Sequence, residues 1–374
     1  MSAALFWASC FLLVYVYLGY PLVAWLRGHF YPKRANRAPI EPFVSVIVVA
    51  HDEADRIGAR IENLLTADYP AGKLELIVAS DGSTDATAEI AACYAGRGVS
   101  VRNFRERRGK AAVLDELIPS AKGEIVVLAD ARQRFETGAI RALVADFADP
   151  CVGAVSGELM ASGFYWQYEK FIRANESWSG STVGATGAIY AIRRALFEPI
   201  PEDTILDDVL IPVRIARRGY RVLFEAQARA YDVTVALRAE FARKTRTIAG
   251  TFQLFARESW LLNPFRSRLW FEALSHKALR LTIPIMHAVL FGANLALADA
   301  PAGDELYRWT MGCQMMFYAA ALAGRALPRA RRQLVVVVPY TMCLLLWATL
   351  VGFIRFVTRK QQVTWDRVPV TVDR

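Results

Sequence analysis

Formal charge is scarce in this sequence. Charged residues fill 22% of its 374 positions and hydrophobic ones 54%, a balance that excludes a disordered chain and an ordinary soluble enzyme. Cysteine is sparse as well. Cys10, Cys93, Cys151, Cys313 and Cys343 are scattered, with neither the paired spacing of a zinc site nor the density of a disulfide scaffold, and they read as apolar fillers. There is no GxGxxG fingerprint. Gly109-Lys110 is followed by Ala111 rather than Ser or Thr, so the GxxxxGK[ST] phosphate loop is missing too, and dinucleotide oxidoreductases and phosphate-loop NTPases lose their support. No nucleic-acid motif accompanies the net charge of +9. The basic residues flank apolar segments, where anionic lipid headgroups explain them more economically.

Long apolar runs are abundant, at the two ends. Residues 3–26 carry no formal charge, and a helix of that length rises about 36 Å, enough for a hydrocarbon core of about 30 Å. Only Met1 and Ser2 precede the run, so the basic start of a cleaved signal is missing and the segment reads as an uncleaved anchor. Arg27, Lys33, Arg34 and Arg37 follow it; the positive-inside rule puts them in the cytoplasm and the N-terminus outside. Three further runs cover 281–297, 309–324 and 334–354, and only the last is clearly of spanning length. The first, which contains Pro284, and the second fit a tilted span, a re-entrant segment or a buried helix. An acidic connector at 299–308 and a basic one with Arg325, Arg329, Arg331 and Arg332 favour three C-terminal spans. Three spans put the C-terminus outside, whereas Arg359, Lys360 and Arg367 argue for inside. The expected organisation is an anchor at 1–27, a cytoplasmic domain at 28–240, interfacial helices at 241–280, membrane helices at 281–357 and a tail at 358–374. The plasma membrane of a bacterium is the expected location.

The middle of the chain alternates. Residues 43–50 (FVSVIVVA) form a near-continuous apolar, β-branched run, the pattern of a strand buried on both faces. Further strands are predicted at 74–79, 99–104 and 125–129, with helices at about 51–65, 84–94 and 110–117 between them. Such alternation predicts an α/β fold, a mostly parallel sheet with helices on both faces and ligands beyond the carboxyl ends of the strands. Three polar clusters fall there: His51-Asp52-Glu53, Ser80 through Asp85, and Asp130-Ala131-Arg132. Convergent carboxylates with Lys110 nearby suit a sugar or nucleotide diphosphate, whose hydroxyls need acceptors and whose phosphates need cations or a metal.

Five segments in order resemble the family 2 glycosyltransferases, the membrane-bound group with cellulose, chitin, hyaluronan and poly-N-acetylglucosamine synthases. They are VSVIVVAHDEADRI, VASDGSTD, RRGKAAVLDE, VVLADARQRF and LDDVLIPVRIARRGYRV, within residues 43–280. The resemblance implies a GT-A-like fold and an inverting transfer from a nucleotide-diphosphate sugar, with a uridine nucleotide expected. It implies that Ala50, His51, Glu53 and Asp81 line the nucleotide pocket beside Lys110, that Asp130 faces the diphosphate and any metal, and that Asp208, with Asp207 next to it, is the general base. In such a displacement one group takes the acceptor proton while cations stabilise the departing diphosphate. Asp207 raises the pKa of Asp208 and a helix N-terminus lowers it, so the sequence leaves the sign of the net shift open.

The chain departs from the family pattern at three places. Arg132 stands where the second Asp of Asp-x-Asp is usual. Either Asp130 and the diphosphate still hold a divalent ion (Mg or Mn), or the guanidinium supplies part of its charge. Ser80 replaces the first of two usual Asp residues but keeps a hydroxyl for hydrogen bonding. The Gln-x-x-Arg-Trp segment of processive members has as counterpart 243–247, where Arg246 matches and the Trp that would stack on a sugar ring is missing. Transfer of one or few sugars is therefore expected, to a saccharide or a lipid-linked acceptor, the latter suited to the aromatic and basic residues between Phe241 and Arg280. Arg243 and Arg246 suit lipid headgroups as well as a diphosphate. Plainer readings exist for the rest: a capped turn for Asp81 and its neighbours, a favourable helix start for Asp207-Asp208, a loop position for His51. A different class, a silent membrane scaffold that binds a nucleotide sugar, is motivated by the eroded motifs; Asp208 argues against it. Protein partners are not indicated.

Overall fold

In a computed structural model, residues 1–160, 164–232, 237–299 and 305–364 are described. The chain forms two compact units. One comprises Met1–Leu22, Leu237–Ala256 and Leu274–Gln361; the other comprises Val23–Ala236, Arg257–Ala273 and Gln362–Arg374.

The second unit is built on one eight-stranded sheet. Its strands are β1 (Val44–Ala50), β2 (Leu74–Asp81), β3 (Val99–Phe104), β4 (Ile125–Asp130), β5 (Arg134–Phe135), β6 (Val152–Met160), β7 (Ile189–Arg193) and β8 (Arg221–Tyr231), in the order β3-β2-β1-β4-β7-β6-β8-β5. Strands β3, β2, β1 and β4 are parallel. Strand β7 runs antiparallel to both β4 and β6, β6 and β8 are parallel, and β5 is antiparallel to β8. The sheet is therefore mixed, parallel in the half read from the sequence and interrupted by β7 in the other.

Every residue of β1 is buried. Val44, Val46 and Val48 share a core with Ile57, Ile61 and Leu64 of the helix Ile57–Leu65 and with Ile140 and Leu143 of the helix Ala139–Ala145. Side chains alternate along a strand, so Ile47 and Val49 face the opposite side and are buried there as well. This two-sided burial is why the strand reads as unbroken apolar sequence. In β6 the pattern is broken by glycines that the packing requires. A Cβ on Gly153 would lie 2.4 Å from Ile215 Cγ2, and one on Gly157 would lie 2.5 Å from the Ala228 carbonyl oxygen. The parallel register sets the ends of β1, β2 and β4 side by side, Ala50 opposite Ser80 and Val49 opposite Asp130.

The first unit is helical. Among the described residues three helices are long and apolar enough to cross a bilayer: Ser2–Phe30, Trp270–Ala298 and Leu334–Val357. The sequence favoured four spans. The run at 309–324 does lie in a 22-residue helix, Glu305–Ala326, but that helix is not among the three that qualify. Pro284 lies inside the continuous helix Leu279–Ala298. The helix Leu237–Arg257 packs on Leu334–Val357: a Cβ on Gly352 would come 2.8 Å from Ile248 Cγ2, and Phe252 meets Phe353 at 5.2 Å between ring centroids. His287, for which the sequence offers no partner, has Nδ1 3.1 Å from the Tyr318 hydroxyl.

Candidate active site

The loop after β1 is fixed by reciprocal bonds to the loop after β2. His51 Nδ1 lies 2.7 Å from the Asp81 carbonyl oxygen. Asp52 adopts φ 53°, a left-handed conformation that Asp tolerates better than most residues. Its carboxylate accepts the Thr84 N–H at 2.7 Å, and this bond holds its pKa below the ordinary value. Asp85 accepts the Thr87 N–H at 3.0 Å and the Ala54 N–H at 3.1 Å. Glu53 is buried, and its Oε2 accepts from Arg56 Nη1 at 3.0 Å. Ala50, the last residue of β1, is buried directly beside this turn.

Asp81 is fully buried and grips the segment that leads to Lys110. Its two carboxylate oxygens accept the N–H groups of Arg108 and Gly109 at 2.7 and 2.9 Å. Gly82 (φ +62°) makes this approach possible, since a Cβ there would lie 2.4 Å from the Arg107 nitrogen. Asp81 thus sets where the helix Lys110–Ser120 begins, and with it the position of Lys110.

Lys110 Nζ donates to Asp130 Oδ1 at 2.8 Å and lies 3.5 Å from Asp207 Oδ2. Burial alone would push its pKa down, but the Asp130 and Asp207 carboxylates outweigh it and the ammonium is held above its ordinary range. Asp207 and Asp208 open the helix Asp207–Arg217. The Tyr190 hydroxyl donates to Asp207 Oδ2 at 3.4 Å, and burial beside these carboxylates keeps the phenol protonated, its pKa well above the usual value. Asp208 Oδ2 accepts the Gly187 N–H at 2.7 Å. Burial, then Asp207, push the Asp208 carboxyl up to about 6 against the opposing pull of Lys110. The sign that the sequence left open is therefore upward.

Arg132 does not stand free beside Asp130. Its Nε lies 3.1 Å from Asp232 Oδ1 and its Nη2 donates to Asp232 Oδ2 at 3.3 Å, while Gln133 Nε2 donates to Asp232 Oδ1 at 3.2 Å. Asp130 is the carboxylate beside Arg132, and Asp207 shares Lys110 with it. Among the described residues no three His, Cys, Asp or Glu side chains converge as a metal cage. This donor set fits an ion held by one or two carboxylates together with substrate phosphates and water, the usual manner for Mg²⁺ at nucleotide sites.

Lys110, Asp130, Asp207 and Asp208 thus form one cluster; His51 meets Asp81, which holds the segment before Lys110, while Glu53 pairs with Arg56 and Arg132 with Asp232. Arg243 and Arg246 lie on the helix Leu237–Arg257 and belong to the helical unit. Four contributors escaped the sequence reading: Gly187, Tyr190, Asp232 and Arg60. Arg60 is buried over the Phe135 ring at 4.0 Å and donates to Asn63 Oδ1 at 2.9 Å. Burial lowers its pKa to about 9, opposed by Asp130. Only Gly187, in the glycine pair Gly184 and Gly187, left a visible signal.

Residues 45–200 match the family model described as glycosyl transferase family 2. That segment of the chain is similar to the family. The chain is 34% identical over 118 residues to a beta-monoglucosyldiacylglycerol synthase of Nostoc sp., covering 30% of this chain and 25% of that protein. It is 24% identical over 201 residues to a poly-beta-1,6-N-acetyl-D-glucosamine synthase of Staphylococcus aureus, covering 50% and 48%. The chain spans about a quarter to a half of the length of these curated relatives. Among solved structures, a mannosyltransferase from Pyrobaculum calidifontis in complex with GDP-Man and Mn²⁺ superposes with a TM-score of 0.75 at 25% identity, covering 96% of this chain and 100% of that one. The chain therefore has the GT-A-like fold and is related to glycolipid and exopolysaccharide synthases. Its membrane helices and relatives mark it as a membrane protein.

Proposed function

We propose that the transferase moves one sugar from a nucleotide-diphosphate sugar to a lipid-linked or saccharide acceptor, with inversion, and that Asp208 is the base. The observation that carries this reading is the Asp208 carboxyl. It is raised to about 6, aimed by the Gly187 N–H and set within one cluster with Asp207, Lys110 and Asp130. A base with a pKa near the working pH is both ionised and able to take a proton. In the displacement the acceptor oxygen bonds to the anomeric carbon as the bond from that carbon to the diphosphate breaks. The acceptor proton passes to Asp208 and the nucleoside diphosphate leaves. Lys110, kept cationic, offsets the carboxylates, and Asp81 holds the Lys110 segment in place. A divalent ion held by Asp130 and the phosphates would add positive charge where the leaving group becomes more negative.

A uridine nucleotide is the expected donor from the motif resemblance, whereas the mannosyltransferase structure, with its guanosine nucleotide, makes GDP sugars the second class to try. A lipid-linked acceptor is supported by the diacylglycerol synthase among the relatives, and the basic residues that follow the first span support a cytoplasmic sheet unit.

The test is Asp208→Asn. The variant is expected to keep stabilisation by the donor nucleotide sugar in Mn²⁺ while its transfer rate falls by at least about 100-fold. Unchanged turnover would remove Asp208 from the role of base, and loss of both properties would make it a binding residue.

A further inference from the structure

Apart from the carboxylate cluster, the sheet unit contains a cleft of about 560 Å³, beside the last turns of the helix Ser2–Phe30. That volume lies in the range of about 300–1,000 Å³ typical of ligand sites. Its walls are the 25–37 segment, the end of the helix Phe164–Ser179 and the start of β8. The walls are preformed. The Lys33 N–H donates to the Trp178 carbonyl at 2.6 Å, and the Ala38 N–H donates to the Ala145 carbonyl at 3.2 Å. Arg221 Nε donates to the Gly180 carbonyl at 2.8 Å. The helix end sits hard against its neighbour, since a Cβ on Gly28 would lie 3.0 Å from the Asn175 carbonyl oxygen.

The charges in the cleft do not cancel. Four cations, Lys33, Arg34, Arg37 and Arg221, face two carboxyls, Asp146 and Glu225. Arg37 uses both of them, 2.9 Å from Glu225 and 3.5 Å from Asp146. Burial and Glu225 push the Asp146 carboxyl up to about 7, so at neutral pH it carries less than a full charge. Arg221 is satisfied by carbonyl oxygens, which leave its charge in place. Among the described residues the side chains of Lys33 and Arg34 have no ion-pair or hydrogen-bond partner. Two large aromatics complete the rim, Trp25 at 39% and Trp178 at 55% exposure. Exposed Trp beside free cations at the end of a membrane-crossing helix is the composition of the headgroup layer.

We propose that this cleft binds the phosphate headgroup of an anionic membrane lipid, with Lys33 and Arg34 on the phosphate and Trp25 and Trp178 at the level of the glycerol. The proposal rests on the reading of Ser2–Phe30 as a span and is independent of the transfer chemistry. Its test uses the full chain in neutral detergent, native mass spectrometry as the readout, and phosphatidylglycerol, phosphatidylcholine and inorganic phosphate as probes. Retention of one phosphatidylglycerol in preference to phosphatidylcholine is expected. Lys33→Ala with Arg34→Ala should weaken it about 30-fold, from roughly fivefold per cation. Arg329→Ala with Arg332→Ala, an exposed pair in another basic cluster, should leave it unchanged. Equal retention of both lipids, or equal loss in both paired variants, would overturn the proposal. Displacement of the lipid by millimolar inorganic phosphate would make the cleft a site for a soluble anion instead. A chain that stays soluble without detergent would overturn the membrane reading itself, an outcome distinct from the other three.

Discussion

Asp208, the proposed base, is a carboxyl raised to about 6. As a base it must be ionised, and its pKa of about 6 means that protonation removes it from action as the pH falls through that value. The acid limb of kcat/KM is therefore expected near pH 6, falling about tenfold per unit below it. A limb near pH 4 would place the catalytic base elsewhere. Asp81 belongs at the same scale but does different work. Both of its oxygens are engaged by backbone N–H groups, and a buried amide left without a partner costs about 1–3 kcal/mol. Asp81→Ala is expected to lower stability by at least about 2 kcal/mol in denaturant melts and to weaken donor affinity through the misplaced Lys110. Unchanged stability together with lost affinity would make Asp81 a direct ligand of the nucleotide. Asp81 was legible because it ends a parallel strand, and Asp208 because it is one of two adjacent carboxylates that open a helix. Arg132 was legible as a departure, while its engagement by Asp232 was not, since 100 residues separate them.

At the scale of elements, the loop before β7 holds the proposed base, Asp208, through the Gly187 N–H. The Gly187 N–H bond is one of the influences that keep the Asp208 pKa down, and a Cβ at Gly187 would lie 3.2 Å from Asp208 Oδ2. Gly187→Ala is expected to lengthen that bond, reduce kcat and move the acid limb to higher pH. A lower kcat with an unmoved limb would point to the acceptor side of the site instead. The strands that the sequence made visible, β1 to β4, are those with buried, β-branched runs separated by single helices. Strand β6 hid because Gly153, Ser156 and Gly157 interrupt its apolar run. Those glycines report close packing, which only the folded neighbours reveal. Strand β7 is five residues long and pairs antiparallel, so the alternating strand-helix rhythm carried no hint of it.

For the molecule as a whole, the apolar ends and the mixed composition announced membrane helices, and three of them satisfy length and hydropathy. The helix Glu305–Ala326 shows why the count was hard. An apolar stretch of that length also serves as a helix packed on others, and length alone does not separate the two. Orientation can be read from Cys93 and Cys151, both exposed in the sheet unit. In a chain that keeps only these two cysteines, a membrane-impermeant thiol reagent is expected to label them in opened vesicles and not in intact cells. Labelling of intact cells would put the catalytic unit outside.

The grouping of Asp130, Asp207 and Asp208 around a single ammonium has a further result. Arg60, near Asp130, and Arg173, near Asp208, offset part of that acidity. Under the proposed function the pocket then offers acceptors for a donor's hydroxyls and cations for its diphosphate at once.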